Sequence, residues 1–344
     1  MNVLVDTSPL KNQNAIRGIG RYTIELVQAL RSLQTPHTFF TSDQESKDVD
    51  IIHYPFFDLF FATLPLIKKA KTIVTIHDVT PLVFPTHYPR GIRGQLKFLY
   101  QKLALTSVSH VITDSHCSKR DIIEHLKLKP EMITPIPLAA SPVFQKQSVS
   151  VIEDVRRKYA LPKNYCLYVG DINYNKNLPF LVSVMSHIPD ITLVLVGKTV
   201  TNTTTPEGQE IARAIEVAGN GKYVKLLDSV DSQDDLVALY SGAKVYVQPS
   251  LYEGFGLPVI EAMRCKVPVV SSCGGSLAEV VSDAGIQFNP RDPKGCEAAI
   301  RRVLRMSDED RGKMVKKAHE YGEQFTWERT ARETLAVYEK VMKY

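Results

Sequence analysis

The sequence of 344 residues has few cysteines and no long apolar segment. Its five cysteines are scattered and contain no C-x-x-C pair, which argues against a disulfide framework and a structural zinc site and favours a reducing compartment. The longest apolar stretch, 56–67, is interrupted by Asp58 and Pro65 and is shorter than the roughly 20 residues of a membrane-spanning helix. The first six residues have no basic segment before their apolar run and indicate a strand instead of a signal peptide. We therefore expect a soluble, cytosolic protein.

Composition limits the class of protein and locates its charge. Hydrophobic residues make up 44% of the chain and charged residues 23%, which excludes a disordered or fibrous protein. At about 150 residues per domain, the length favours two domains. The net charge of +5 lies in residues 1–150, with 17 Lys and Arg against 12 Asp and Glu, whereas 151–344 hold 25 of each. Eight of these basic residues, between Arg90 and Lys129, could face phosphates, anionic lipid or nucleic acid, or form an ordinary solvated helix face.

Short runs rich in Val and Ile alternate with helical patterns in both halves of the chain. This alternation predicts two doubly wound α/β domains with parallel sheets and a ligand-binding cleft at the carboxyl ends of their strands. The predicted strands are 2–6, 51–53, 72–76, 110–113, 133–136, 165–169, 192–196, 224–226, 244–248 and 267–271. The predicted helices are 19–33, 94–107, 119–126, 178–186, 207–218, 234–241, 257–263, 294–304, 309–323 and 327–342. A stretch rich in Pro and Ser, 135–150, is the predicted linker.

The first glycine cluster is Gly18-Ile-Gly20-Arg21-Tyr22. A dinucleotide-binding G-x-G-x-x-G motif would need a third glycine where Thr23 stands, and the preceding strand ends about a dozen residues earlier. The cluster better suits a long loop that leads into a helix and approaches a phosphate or sugar, with a plain turn as the alternative.

The second glycine cluster, 253–258, is the most specific feature of the sequence. It follows an apolar strand, and Pro258 stands where a first helical residue is expected. Its glycines let backbone N–H groups approach an anion, and the helix N-terminus adds a favourable dipole. Glu253 in the loop and Glu261 in the helix could accept hydrogen bonds from the hydroxyls of two sugar rings. The alternative is a pair of surface glutamates around a turn.

The run E-G-F-G-L-P-x-x-E-A-M stands intact at 253–263 and contains the spacing E-x7-E. With this run the sequence resembles retaining GT-B glycosyltransferases of the family four type. The resemblance implies two Rossmann-like domains facing a central cleft, with a C-terminal helix that crosses back to the first domain. We set the acceptor-side domain at 1–147, the nucleotide-sugar donor domain at 148–325 and the final helix at 326–344. The resemblance also implies that Glu253 contacts the transferred sugar and Glu261 the ribose of the nucleotide.

Further motifs extend the resemblance over nearly the whole chain. The segment 168–178 is similar to the family's strand–loop–helix segment, in which the residue matching Lys176 binds the donor diphosphate, and 195–198 is similar to the loop near the base. Gly18–Tyr22 matches G-x-G-R-Y, and 76–82 matches I-H-D-x-T-P-L, which implies that His77 contacts substrate. The family often carries an Arg near this Lys. Asp171 and Asn175 stand at the two positions where that Arg occurs in the family. Lys176 and backbone amides must therefore supply more of the positive charge that neutralises the diphosphate.

Together these motifs predict the residues of the site. The predicted catalytic residues are His77, Lys176 and Glu253. The predicted donor-binding residues are Gly18, Gly20, Gly170, Lys176, Gly197, Glu253, Gly254, Phe255, Gly256, Leu257 and Glu261. The D-x-D triplets at 48–50 and 308–310 stand at the entry of a strand and at a helix start, so we expect no metal and no cofactor.

We therefore predict a retaining glycosyltransferase that moves a hexose from a nucleotide diphosphate sugar to a saccharide or lipid-linked saccharide in polysaccharide or glycolipid biosynthesis. The resemblance implies a front-face mechanism in which the departing phosphate helps to deprotonate the acceptor. The pairing of G-I-G-R-Y with I-H-D-V-T-P-L resembles polysaccharide and O-antigen mannosyltransferases and implies GDP-mannose. The alternatives are a nucleotide-sugar epimerase or a phosphorylase of the same fold, and a basic protein that binds nucleic acid, a partner we do not expect.

The basic segment near residue 90 has two interpretations. Its cations are interleaved with apolar residues and are Arg90, Arg93, Lys97 and Lys102. This mixture is typical of a helix that lies on an anionic membrane or cradles an anionic acceptor, and equally of a surface helix with one buried face. The first interpretation places the protein in the cytoplasm at the inner face of the cell membrane.

Overall fold

The computed structural model describes residues 1–11, 18–44, 48–219 and 221–343. Tyr344, the last residue of the predicted final helix, lies outside these ranges. The chain divides into two compact units, Met1–Ala139 with Phe325–Tyr344, and Ala140–Gln324. The predicted boundary after residue 147 is therefore eight residues too late. Residues 140–147 belong to the second unit because the ring of Phe144 packs edge-on against Tyr240 at 5.7 Å, and the Gln147 N–H donates to Ser241 Oγ at 3.1 Å.

The first unit contains a parallel sheet of six short strands. These strands are β1 Asn2–Val5, β2 Thr38–Thr41, β3 Ile51–Tyr54, β4 Lys71–Thr75, β5 His110–Thr113 and β6 Ile133–Pro135. Four helices lie between them: α1 Gly18–Ser32, α2 Thr80–Val83, α3 Gly91–Leu105 and α4 His116–Leu126. The strand order is β2-β1-β3-β4-β5-β6. Strand β5 is buried along its whole length, as expected for a parallel strand covered on both faces.

The second unit contains another parallel sheet of six strands. Its strands are β7 Tyr165–Val169, β8 Thr192–Val196, β9 Val224–Leu227, β10 Val245–Gln248, β11 Val269–Ser272 and β12 Ile286–Phe288. Its helices are α5 Val149–Lys158, α6 Leu178–Met185, α7 Pro206–Ala218, α8 Gln233–Gly242, α9 Leu257–Arg264, α10 Leu277–Val281, α11 Pro293–Leu304 and α12 Asp308–Gly322. The strand order β12-β11-β10-β7-β8-β9 reverses between β7 and β10. Ligands of doubly wound sheets bind at the carboxyl ends of the strands at such a switch point.

The last helix, α13 Trp327–Lys343, belongs to the first unit. Its inner face meets the sheet and α1 through aromatic and polar side chains. The rings of Trp327 and Tyr22 lie 6.0 Å apart, and the Tyr338 hydroxyl lies 2.6 Å from His53 Nδ1. The carboxyl-terminal helix therefore completes the core of the first unit, although it follows the second unit in the sequence.

Some elements differ from the predicted pattern. Helix α5 lies at the end of the predicted linker, where Ser148 caps it by accepting a hydrogen bond from the Val151 N–H at 3.4 Å. The edge strands β2 and β12 were not predicted because they are short and only partly buried. Among the described residues, no helix is long and apolar enough to cross a membrane.

Candidate functional site

Two predicted glycines hold together the loops that follow β7 and β8. The Gly170 N–H donates to Val196 O at 2.9 Å, and the Gly197 N–H donates to Leu227 O at 3.0 Å. A Cβ at Gly197 would lie 2.0 Å from Gly170 O, so only a glycine permits this approach. The structure thus brings these two residues together at the carboxyl ends of adjacent strands.

Asn175 joins the turn that carries Lys176 to the loop that follows β10. Its Nδ2 donates to Tyr252 O at 2.9 Å, and its own carbonyl accepts from the Leu251 N–H at 2.7 Å. The side chain is buried. Asn175 stands at one of the two positions where the resemblance implies an Arg, and it has a structural role here, since it joins the loops that follow β7 and β10.

An ion pair lies between these two loops. Lys176 Nζ is 2.7 Å from Oε2 and 2.9 Å from Oε1 of Glu253. The Lys176 side chain is 19% exposed and that of Glu253 11%, so both are largely withdrawn from water. The predicted cation and the predicted sugar-contacting carboxylate are thus in direct contact at the switch point between β7 and β10.

Polar residues on β10 and just after it fix the Glu253 carboxylate. Its Oε1 accepts from Gln248 Nε2 at 2.9 Å and from Ser250 Oγ at 2.6 Å. The Tyr246 hydroxyl donates to Gln248 Oε1, which orients the amide so that its NH2 group points towards the carboxylate. Burial and then the charges of Glu253 and Glu261 raise the pKa of Tyr246, which keeps this phenol a neutral donor.

Sequence reasoning did not identify Tyr246, Gln248 or Ser250. The signal was present in the run V-Y-V-Q at the end of a fully buried strand, where alternate residues share one face. Polar residues on one face of a buried strand must find hydrogen-bond partners, and here the partner is the carboxylate of Glu253.

Glu261 lies in α9 and is also largely buried. The Tyr240 hydroxyl donates to its Oε2 at 2.8 Å, and the Tyr240 ring lies 5.5 Å from that of Tyr246. Burial and then the charge of Glu261 raise the pKa of Tyr240. Because the charges of both glutamates also act on Tyr246, the two carboxylates of the E-x7-E pattern flank one buried tyrosine pair.

The glycine loop ends in a left-handed residue that starts α9. Gly256 has φ +106°, and a Cβ there would lie 2.7 Å from Leu277 Cδ2. Ser276 Oγ donates to the carbonyls of Glu253 at 3.0 Å and Phe255 at 2.8 Å, which ties the loop to the segment after β11. The remaining predicted loop residues, Gly254 and Leu257, lie on this same path into the helix.

In the first unit, His77 pairs with a residue that sequence reasoning missed. His77 follows β4 and Asp114 follows the adjacent β5, so the parallel strands deliver both side chains to one edge of the sheet. His77 Nδ1 lies 2.8 Å from Asp114 Oδ2, and the ring of Tyr22 meets the imidazole edge-on at 4.7 Å. Burial lowers the pKa of His77, but the charge of Asp114 and its hydrogen bond outweigh burial and raise it overall.

The first glycine cluster opens α1, which agrees with the helix predicted at 19–33. Gly18 and Gly20 lie in the first turn of α1, and residues 12–17, where the predicted loop would run, lie outside the described residues. Tyr22 of this cluster reaches the predicted His77. The cluster belongs to the first unit, whereas Lys176, Glu253 and Glu261 belong to the second.

The four predicted basic residues accompany α3, with Arg90 as its N-cap. The Arg90 guanidinium lies 4.8 Å from the centre of the Phe98 ring, and Lys102 Nζ lies 5.7 Å from it. Lys97 Nζ lies 4.8 Å from the ring of Phe61, and Arg93 is exposed. The helix therefore combines a buried face with an exposed basic surface.

The acidic triplets have structural partners. Asp50 Oδ2 accepts from the Asn2 N–H at 2.7 Å, and Asp310 and Ser307 cap the start of α12 reciprocally at 3.1 and 2.8 Å. Within the described parts of the chain, no group of three or more His, Cys, Asp or Glu side chains is arranged to hold a metal ion.

Family models match both units. A model described as "Glycosyl transferases group 1" matches residues 151–321, and one described as "Glycosyltransferase Family 4" matches residues 43–141. O-antigen chain mannosyltransferase B of Escherichia coli is 30% identical over 273 residues, which are 79% of this chain and 71% of that protein. The serotype-specific mannosyltransferase WbdA of Escherichia coli is 30% identical over 269 residues, which are 76% of this chain. The matched region is 32% of that longer protein.

Solved structures share the architecture. Sucrose-phosphate synthase from Thermosynechococcus elongatus superposes with a TM-score of 0.75 at 20% identity, covering 100% of this chain and 99% of that chain. Anabaena HepE in complex with UDP and glucose superposes with a TM-score of 0.75 at 17% identity, covering 99% of this chain and 100% of that one. These likenesses show the GT-B fold and confirm the predicted fold class of two Rossmann-like units.

Proposed function

The chain belongs to the group 1 glycosyl transferases, and from that membership we propose that it transfers mannose from GDP-mannose, with retention of configuration, to a saccharide or lipid-linked saccharide in polysaccharide synthesis. The observation that carries the proposal is the Lys176–Glu253 pair, held beside a glycine-rich helix start at the switch point of the second sheet. The names of the relatives, O-antigen chain mannosyltransferase B among them, support mannose as the sugar.

Lys176 supplies the charge that the departing diphosphate needs. When the bond between the sugar C1 and the phosphate oxygen breaks, negative charge develops on the diphosphate. A cation that is already fixed and largely shielded from water stabilises this charge without reorganising. The backbone N–H groups at the start of α9 add a favourable dipole for the same anion.

Glu253 acts as an orienting group. Its Oε1 accepts from Gln248, Ser250 and Lys176, and its Oε2 accepts from Lys176 at 2.7 Å, so both oxygens are engaged and the carboxylate is a poor nucleophile. We therefore propose no covalent glycosyl-enzyme intermediate. Instead, the acceptor oxygen bonds to C1 on the face that the diphosphate leaves, and the acceptor proton passes to the departing phosphate oxygen. Glu253 holds the sugar hydroxyls, and Glu261 holds those of the ribose.

His77 is proposed to contact the sugar or the acceptor from the first unit. Asp114 accepts from Nδ1 and the Pro55 carbonyl lies 3.2 Å from Nε2, so both ring nitrogens have partners and the ring cannot rotate freely. Although burial opposes it, the charge of Asp114 raises the pKa of His77, which favours a ring with both N–H groups donating. A sugar or acceptor oxygen would compete with the Pro55 carbonyl for the Nε2 proton. Because Asp114 positions His77, its loss is expected to reduce transfer as strongly as loss of the imidazole.

We place the reaction in the cytoplasm, at a membrane that carries the lipid-linked acceptor. All five cysteines lie among the described residues and none of them forms a disulfide, which suits a reducing compartment. The whole net charge of +5 lies in residues 1–150, which suits an anionic membrane surface.

The proposal is tested by the product that forms from GDP-mannose in the absence of acceptor. Slow hydrolysis with retention releases α-mannose first, and NMR distinguishes it from the β-anomer before mutarotation. Lys176→Met should abolish this release, whereas Lys163→Met, at an exposed position of the same unit, should not change it. Release of β-mannose, or conversion of GDP-mannose to an epimeric nucleotide sugar, would contradict the proposal. Release of sugar from a UDP-sugar alone would leave glycosyl transfer intact and refute GDP-mannose.

A further inference from the structure

The outer face of α3 carries an apolar stripe. Ile92, Leu96, Leu99 and Leu103 recur at spacings of four, three and four residues, which places them on one face of the helix. They are 85%, 63%, 54% and 60% exposed. At about 1.5 Å per residue, the stripe is about 16 Å long.

This stripe lies opposite the face that builds the core. The buried residues of α3, Phe98, Gln101, Ala104 and Leu105, occupy the other side of the helix. The stripe therefore adds nothing to packing within the first unit. Contiguous apolar surface of this kind on a folded protein marks a site of interaction.

A neighbouring turn places another exposed apolar side chain, an aromatic ring, beside Lys97 of α3. Gln101 holds this turn, because its Nε2 donates to Asp58 O at 2.7 Å and to Thr63 Oγ1 at 2.8 Å. The ring of Phe61 in the turn is 61% exposed and lies 4.8 Å from Lys97 Nζ. We call Ile92, Leu96, Leu99 and Leu103 the α3 surface.

The charges around the α3 surface have one sign. Helical geometry places Arg93 and Lys97 on one side of the stripe and Lys102 on the other. The sequence contains no Asp or Glu between Asp78 and Asp114. A second copy of this helix would be repelled, and a nucleic acid would leave the leucines without a partner. An anionic lipid surface satisfies both the apolar stripe and the cations.

We propose that the α3 surface inserts into the interfacial layer of an anionic membrane, with α3 parallel to the membrane plane and its cations at the lipid phosphates. The inference rests on the proposed function in one respect, since it explains how the enzyme reaches a lipid-linked acceptor. It also revises the predicted patch: the exposed apolar residues of α3 provide insertion, while Arg93, Lys97 and Lys102 select the lipid charge.

Vesicle flotation tests the proposal with the full chain. The wild type should float with vesicles of equal parts phosphatidylcholine and phosphatidylglycerol, and weakly or not at all with phosphatidylcholine alone. Leu96→Glu/Leu99→Glu should weaken binding about 30-fold or more, because it removes two inserted side chains and adds two negative charges. Arg93→Ala/Lys97→Ala should weaken it about fivefold per cation. The matched control is Val149→Glu/Val217→Glu, at positions 76% and 79% exposed in the second unit, and it should bind as the wild type does.

Fluorescence provides an independent test of insertion. The one native tryptophan, Trp327, is 7% exposed and gives a constant background. Leu96→Trp should shift its emission to shorter wavelength when anionic vesicles are added, and Val217→Trp should not. Thermal melting of each variant checks that its fold is intact.

Several outcomes would overturn the proposal. Flotation that is insensitive to Leu96→Glu/Leu99→Glu, or that falls equally in the control pair, would refute it. If the wild type binds no vesicles and sedimentation velocity shows a dimer that Leu96→Glu/Leu99→Glu no longer forms, the α3 surface is an interface with a second copy of the chain instead. GDP-mannose binding is measured by calorimetry on the same preparations. Nucleotide binding without flotation would refute this inference alone, and flotation without nucleotide binding would refute the proposed function alone.

Discussion

Replacing Gln248 by Leu should release the Glu253 carboxylate and destabilise the second unit. Gln248 Nε2 donates to Glu253 Oε1 at 2.9 Å, and loss of a hydrogen bond to a charged group costs about 1.5–3 kcal/mol. The substitution also leaves the Tyr246 hydroxyl with only the Val169 carbonyl, at 3.4 Å. A buried donor that loses its partner in this way adds about 1 kcal/mol. We therefore expect the free energy of unfolding to fall by about 2.5–4 kcal/mol.

A double-mutant cycle isolates the coupling between these residues. Tyr246→Phe alone should cost about 1–2 kcal/mol, because it leaves Gln248 Oε1 without its donor. The double variant Tyr246→Phe/Gln248→Leu removes both partners and should cost about 1–2 kcal/mol less than the sum of the single variants.

Urea unfolding followed by circular dichroism measures these free energies, and hydrogen exchange of a peptide spanning β10 assigns the loss to the second unit. In the same variants, GDP-mannose hydrolysis should fall more with Gln248→Leu than with Tyr246→Phe, since only the first removes a bond to Glu253. Two results would refute the hypothesis that Tyr246 positions the Glu253 carboxylate through Gln248. One is losses of unfolding free energy that add up in the double variant, and the other is full activity of Gln248→Leu.

Three further predictions concern other parts of the chain. Burial, with a smaller contribution from His77, lowers the pKa of His53 to about 3 from an ordinary value of 6.5, so only the unfolded chain takes up this proton as the pH falls below about 6.5. Stability should therefore fall with pH by up to about 1.4 kcal/mol per unit, and equilibrium unfolding of His53→Gln should give a shallower slope. Gly197→Ala should abolish calorimetric binding of GDP-mannose because its Cβ would meet Gly170 O at 2.0 Å, whereas Gly312→Ala, in open space within α12, should raise the melting temperature slightly and leave binding intact. Asp171→Arg should lower the KM for GDP-mannose in the hydrolysis assay, because it restores a cation in the exposed loop beside Lys176; an unchanged KM would place Asp171 away from the diphosphate.

The sequence pattern was sufficient for the central strands. Strands β7 and β8 were predicted to the residue because a strand of a doubly covered parallel sheet is a continuous apolar run, and both are buried over most of their length. The edge strand β12 was missed because three residues, of which only Phe288 is buried, produce neither a run nor a clear alternation. Helix α5 was missed because Ser148, its cap, falls in a segment whose composition predicts a linker.

The residues of the candidate site likewise divide into those that the sequence predicts and those that only the structure identifies. Glu253 and Glu261 could be predicted because they stand in one contiguous run, 253–263, and Lys176 because it stands in another, 168–178. Gln248 and Asp114 could not be, because their roles depend on which strands become neighbours and which way their side chains point. The role of Asn175 also needed the structure, since a hydrogen bond to the backbone of a loop 77 residues away leaves no local signal.

The account's central claim is that the switch point of the second unit binds the nucleotide sugar through the E-x7-E carboxylates. Titration calorimetry of GDP-mannose into the wild type, Glu261→Ala and the exposed control Glu210→Ala tests this claim most directly. Loss of charge-assisted hydrogen bonds to ribose hydroxyls should weaken binding about 10- to 100-fold in Glu261→Ala and leave Glu210→Ala unchanged. Equal binding by the wild type and Glu261→Ala, or no binding of GDP-, UDP-, ADP- or TDP-sugars by the wild type, would contradict it.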